Sequence, residues 1–234
     1  MASVPSAAAA FEWPPSTRLS YTLNGYYRGP VEGQAQVEWV RSGTRYQVHL
    51  DVSIGPYFAP IAGRHLMSDG ELTEQGLQPH LYDEETRIAL RAPRHATVTL
   101  DADVIRLANG KLVPRPQGVQ DAASQFVQLT WLFTLHPQLL EPGRVITLPL
   151  ALARHVEPWT YEVVARETLQ TPVGEIETVH VKPQRPPRPG GDMTAEMWIA
   201  PSLQYLPVRI TIHTDSENYA DLLISRLPMQ APGR

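Results

Sequence analysis

Cysteine is absent from the 234 residues, which removes disulfide frameworks, thiol nucleophiles and cysteine-based metal centres from consideration. The redox compartment is left open by the same absence. Charge is scarce too. Charged residues make up 19% of the chain, and a formal net charge of -4 excludes the clustered positive potential that nucleic-acid backbones require. No apolar run approaches the ~18 residues of a membrane-spanning helix. The opening MASVPSAAAAFEWPP lacks the basic region and apolar core of a signal peptide. Its small residues suit a segment that follows such a signal or anchor, and residues 1–11 are read as flexible.

Proline and glycine are plentiful, at 23 and 15 residues, and 42% of the chain is hydrophobic. Proline is excluded from helix interiors and central strands, so the composition favours many short strands joined by turns. One all-β domain is expected over residues 12–228, with a tail at 229–234. In TRYQVHLDVSI, Tyr46, Val48, Leu50, Val52 and Ile54 alternate with polar residues, the mark of a strand with one dry face. Weaker alternation recurs to give about eleven strands. Asn24-Gly25, Ser42-Gly43, Asp69-Gly70, Ala92-Pro93 and Asn109-Gly110 are expected turns. Close spacing predicts antiparallel pairing throughout, because parallel strands need long crossovers.

One segment breaks the pattern. QDAASQFVQLTWLFTLHP predicts a helix from Asp121 to Leu135, with the Asp121 carboxylate capping its N-terminus and Pro137 stopping it. Its surface is too apolar to face water, so it must cap the sheet, plug its concave side or meet a partner. A single large antiparallel sheet of this strand count tends to curl into a barrel, complete or broken.

Catalytic signals are weak. The eight histidines form no short-spaced ligand pair, and no metal or cofactor is expected. His49, His180 and His213 are read as polar strand residues that could neighbour one another. No GxSxG elbow is present, and Ser124 beside Asp121 suits capping. The acidic run Asp83 to Arg87 fits a solvated hairpin end. Lys182, Arg185 and Arg188, in a proline-rich stretch, could meet anionic headgroups, but a solvated linker is the preferred reading.

Aromatic residues carry more information. Tyrosine and tryptophan, with a polar tip on an apolar body, suit a cavity wall with a wet mouth. Trp39, Tyr46, Trp159 and Trp198 are the expected wall, Trp131 and Phe133 the expected lid or plug, and Phe126 a further expected ligand-binding residue. In EMWIAPSLQYLPVRI, Met197 and Ile199 oppose Glu196 and Trp198, and Val208, Ile210 and Ile212 oppose Arg209, Thr211 and His213. Pro201 and Pro207 bound the connection, giving a two-strand corner.

That corner, with EWPPSTRLSYTL, VEGQAQVEWV, TRYQV, QDAASQFVQL and TPVGEIETVHV, resembles the bacterial exported-protein family known as domain of unknown function 3108, from about Glu12 to Leu227. The final hairpin is also similar to the periplasmic lipoprotein-binding proteins LolA and LolB and to the sensor RseB. The resemblance implies a half-open, helix-capped β-barrel in the envelope of a Gram-negative bacterium, without an established activity. The expected function is therefore periplasmic and non-enzymatic: binding a lipid, acyl chain or other apolar ligand in a broken barrel and contributing to envelope integrity. The alternative is an envelope scaffold or signalling module that binds a protein partner; an envelope hydrolase ranks third.

Overall fold

Alternation sets the strands. The computed structural model describes residues 16–56, 59–186, 190 and 192–231; the segment 1–11, Trp13 and Arg188 lie outside them. The first half is a meander: β1 Ser16–Tyr26, β2 Pro30–Ser42, β3 Arg45–Ile54, β4 Ala62–Thr73, β5 Gly76–Ile88, β6 Arg94–Leu100, β7 Val104–Arg106 and β8 Leu112–Pro114. A short β9, Gln120–Asp121, leads into helix α1, Ser124–Leu135, and a 3-10 turn at Pro137–Leu140. The second meander holds β10 Val145–Ala151, β11 Val156–Thr171, β12 Gly174–Pro183, β13 Thr194–Ala200, β14 Leu206–His213 and β15 Tyr219–Ile224. β16, Met229–Gln230, carries ordered pairing past residue 228 by joining β1.

All sixteen strands form one sheet, in which β1 pairs with β15 and thereby joins the meanders back to back. The path of strands runs from β8 to β9, which only residues 115–119 separate in the chain. Six peptide steps span at most ~20 Å, so the two ends of the sheet must curl toward each other. Among the described residues no ladder closes the seam. Instead the Ala108 N–H donates to the Ala153 carbonyl at 3.0 Å, the Gln120 side chain donates to the Leu77 carbonyl at 2.8 Å, and Ser68 meets Asp121. The result is a broken barrel with a helix inside its curl.

Inner-face residues are those that the alternation selects: Leu19, Tyr21 and Leu23 on β1, Tyr46, Val48 and Leu50 on β3, Trp159, Tyr161 and Val163 on β11, and Met197 and Ile199 on β13 are all buried. Helix α1 is a plug. Eight of its twelve residues are buried, including Phe133 at 0% exposure. Its polar buried residues are satisfied by the wall: Gln128 accepts from the Leu77 N–H at 2.8 Å, and Gln125 accepts from the Tyr161 hydroxyl. A helix buried on several faces requires such partners, because an unpaired amide there would cost about 1–3 kcal/mol.

Several expectations need correction. Asn24-Gly25 and Asp69-Gly70 are not turns but lie inside β1 and β4. Neighbouring backbone passes so close that a Cβ would stand 2.3 Å from the Tyr219 carbonyl oxygen at Gly25 and 2.1 Å from that of Gln78 at Gly70. Asp83 to Arg87 lie within β5, where Arg64 donates to Glu84 at 2.7 Å and Arg87 pairs with Glu85. One parallel pair does occur: β9 beside β10, with α1 and its following turn as the crossover. The helix itself starts at Ser124, three residues after Asp121. Of the three strand histidines, His49 stacks on His65 rather than meeting the others, whereas His180 and His213 both act on Glu196.

Candidate binding site

Between α1 and the β1–β2 side of the sheet lies a cleft of about 40 Å³. Its walls are almost entirely carbon: Leu19, Val37, Trp39, Phe126, Val127 and Leu206. The strands supply one wall because every second residue of β1 and β2 faces inward. α1 supplies the opposite wall, and the β13–β14 connection closes one end. At that connection Gln204 and Tyr205 both adopt left-handed backbone, with φ of 56° and 58°. Non-glycine residues are held there only where the surroundings over-determine them. Gln230 from β16 ties the rim, donating to Gln204 at 2.7 Å and to Thr17 at 3.3 Å.

Beneath Trp39 a polar thread runs to the helix. The Trp39 and Tyr46 rings stack with centroids 5.6 Å apart; the Tyr46 hydroxyl lies 3.2 Å from Ser68, which donates to Asp121 at 2.6 Å. The other Asp121 oxygen accepts from the N–H groups of Ala123 and Ser124 at 2.9 and 2.8 Å, while Ser124 Oγ accepts from the Asp121 N–H at 2.9 Å. Orphan donors at the helix start are thus satisfied locally. Burial pushes the Asp121 carboxyl up to about 6, overcoming the hydrogen bonds from Ser68, Ser124 and Ala123 that pull it down.

The expected site residues separate into groups. Trp39 and Phe126 meet in the cleft, with Tyr46 behind them. Phe133 lies deep in the core and Trp131 is half-buried toward the far end of α1. Trp159 is an inner-face residue away from the cleft, covered by the Arg185 guanidinium 4.9 Å above its ring. Arg185 also pairs with both oxygens of Glu157, so this part of the proline-rich stretch is anchored rather than a free linker. Trp198 belongs to the opposite face of the sheet and does not form the cavity wall. It lies between His180 and Arg209, whose ring and guanidinium sit 4.2 and 4.6 Å away, and donates to Glu167 at 2.8 Å.

Among the described residues one group has metal-ligand spacing: His155 lies 3.2 Å from both Glu157 and Asp192. Arg185 already occupies Glu157, chiefly responsible for holding its carboxyl down at about 2. A cation would have to displace that guanidinium. Near the cleft, the polar side chains of Ser68, Asp121 and Ser124 are each fully buried.

Sequence reading missed Leu19, Val37, Val127 and Leu206. The first two were legible as inward positions of alternating strands. Val127 and Leu206 depend on how α1 and the left-handed corner dock, which no local pattern specifies.

Among curated proteins none matches the chain. A solved structure titled as a β-barrel-like protein of domain of unknown function DUF1849, from Brucella abortus, superposes with a TM-score of 0.63 at 9% identity, covering 94% of this chain and 99% of that one. At that identity the likeness is one of fold. The Aeromonas veronii immune modulator A gives a TM-score of 0.22 at 6% identity over 91% of this chain and 95% of its own, and carries no argument. These matches do not show the expected similarity of the last hairpin to LolA, LolB and RseB. The model of the family "Protein of unknown function (DUF3108)" matches residues 20–220, and the chain belongs to that family.

Proposed function

We propose that the protein is a non-catalytic binding protein of the cell envelope that takes an apolar or amphipathic group, such as the end of an acyl chain, into the cleft beside α1. The observation that carries this reading is the carbon-lined wall of Leu19, Val37, Trp39, Phe126 and Val127, with the polar side chains of buried Thr17 and exposed Gln204 in the same lining. Apolar walls with a few polar groups suit a ligand with a greasy end and a wet one. The periplasmic address is supported by the resemblance to exported proteins.

Size sets the mechanism. An engineered cavity of ~150 Å³ admits benzene, so a cleft of about 40 Å³ accepts only a short apolar end in its resting form. A longer chain requires Phe126 and Val127 to move with α1. Each buried methylene contributes ~0.8 kcal/mol, so a few of them offset a modest shift of the helix.

Native purification, solvent extraction and mass spectrometry would identify a co-purifying ligand, and an apolar fluorescent probe would measure the site directly. Val127→Trp places an indole in the cleft from its α1 wall. It is expected to reduce probe binding at least tenfold while circular dichroism stays unchanged. A wild-type protein that binds neither lipid nor probe overturns the reading and leaves partner capture as the function to pursue.

A further inference from the structure

Hairpin connections alternate between the two ends of an antiparallel meander, so residues 27–29, 55–56 with 59–61, and 89–93 leave the sheet at the same end. Register places them side by side, with Gly33 opposite Ile54 and Ala62 opposite Ile88. Backbone bonds fasten them: Gly55 donates to Glu32 at 2.8 Å, Ile61 to Ile54 at 2.9 Å, and Ala89 to Ile61 at 2.9 Å. The described parts of these connections are thus tied to the strands and to each other.

The side chains on this rim of the sheet are unusual for a surface. Leu90 is 107% exposed, Tyr27 59% and Ile61 53%, with Ile88 beside them. Leu90 also has a φ of 63°, and Arg28 a φ of 57°. Glycine adopts that backbone without strain, whereas a leucine does not. A single exposed leucine would be ordinary. A leucine held in strained backbone at a loop tip, burying nothing of its own protein, gains only from an external apolar phase.

Charge identifies that phase. Although the chain carries a net charge of -4, the tips present Arg28, Arg91 and Arg94, none paired with a carboxylate among the described residues. Arg87 is offset by Glu85; on the β1 side of the rim Glu32 is exposed and the β14–β15 connection, whose Asn218 accepts from the Arg28 N–H at 3.2 Å, carries Asp215 and exposed Glu217, so the unbalanced basic charge is that of Arg91 and Arg94 around Leu90. Arg91 follows Leu90 directly in the chain and Arg94 opens the next strand, so basic groups adjoin the exposed leucine. Tyr26 and Tyr219, paired directly across β1 and β15 on the same rim, have the amphipathic rings that favour a membrane interface.

We infer that this rim docks on an anionic lipid bilayer, with Leu90 and Ile61 entering the interface and Arg91 and Arg94 meeting phosphate headgroups. Insertion of apolar side chains and attraction of basic residues act together, as in other peripheral attachments. The inference is independent of the cleft, since no cleft residue lies on the rim.

The test is flotation of the full chain with vesicles of phosphatidylcholine alone or mixed with phosphatidylglycerol. Binding is expected only with the anionic lipid and should weaken as salt rises. Leu90→Gly should weaken it roughly tenfold, and the double variant Arg91→Gln with Arg94→Gln roughly 10- to 30-fold. Leu90→Gly should at the same time raise the melting temperature by ~2–4 °C by relieving the left-handed leucine, which excludes unfolding as the cause of lost binding. Absence of flotation, equal flotation on both vesicles, or binding unchanged in both variants overturns the inference. So does self-association of the wild type that Leu90→Gly abolishes, which would assign the tip to a second copy of the chain.

Discussion

Replacing Asp121 by alanine is expected to destabilise the protein by about 3 kcal/mol, whereas Asp121→Asn should change stability by less than about 1 kcal/mol at about pH 4, where both side chains are neutral. The contrast follows from what the carboxylate does. It accepts from Ser68, Ala123 and Ser124 in a site with 0% exposure, so alanine leaves two buried backbone N–H groups without partners and leaves Ser68 with Tyr46 alone. Each orphan costs about 1–3 kcal/mol, part of which is returned by removing a desolvated charge. Asparagine keeps an oxygen for the two backbone N–H groups, and its amide can donate to Ser68, whose own hydroxyl then turns toward Tyr46.

The same residue predicts a pH dependence of defined sign. Burial raises the folded carboxyl to about 6, above its value of 3.8 in the unfolded chain. The folded state therefore holds the proton more tightly. The contribution of Asp121 to stability is fully present below about pH 4, falls as pH rises toward about 6 and is constant above that. At 1.36 kcal/mol per unit the total fall is about 3 kcal/mol. Urea unfolding of wild type and Asp121→Asn across this range should show the variant gaining on the wild type as pH rises. A difference that stays flat would mean that the carboxylate meets water, and hence that the start of α1 is not sealed against β4.

Much of the barrel was legible because alternation is a physical requirement of a half-buried strand. Tyr46, Val48 and Leu50 face inward as their spacing demands, and the phase of Met197 and Ile199 against Trp198 was readable in the same way. Where sequence reading failed, one residue type often served two purposes. Gly25 and Gly70 resemble turn glycines but sit mid-strand because a neighbouring carbonyl fills the space of a Cβ. The stretch from Asp83 to Arg87 looked solvated because it is charged, yet Glu84 and Arg64 neutralise each other on paired strands.

The site was less legible than the sheet. Trp198 shares the aromatic character of Trp39, but its wall role is excluded by strand phase, and its indole is instead held in a stack that ties β12, β13 and β14. Trp39 and Phe126 meet because α1 enters the curl, a tertiary event that no local pattern encodes. The corner at Gln204 and Tyr205 adopts left-handed backbone without a glycine to announce it.

Phe133→Ala should destabilise the protein by about 3–5 kcal/mol, with a fall in melting temperature of roughly 10 °C, whereas Trp131→Ala should cost about 1–2 kcal/mol. Phe133 is fully buried and fills the bore from the inside, while Trp131 on the same helix is half-buried. Truncation at Phe133 removes apolar area and leaves a hollow that the surrounding strands, held in register on both sides, cannot collapse to fill. That hollow is dry and apolar, so the variant should bind an apolar fluorescent probe more strongly than wild type even as it unfolds more readily. Both effects follow only if α1 is a packed plug. A loss below about 1 kcal/mol with no gain in probe binding would show a helix that already moves freely in solution, and the interior would then be open to ligands much longer than the resting cleft admits.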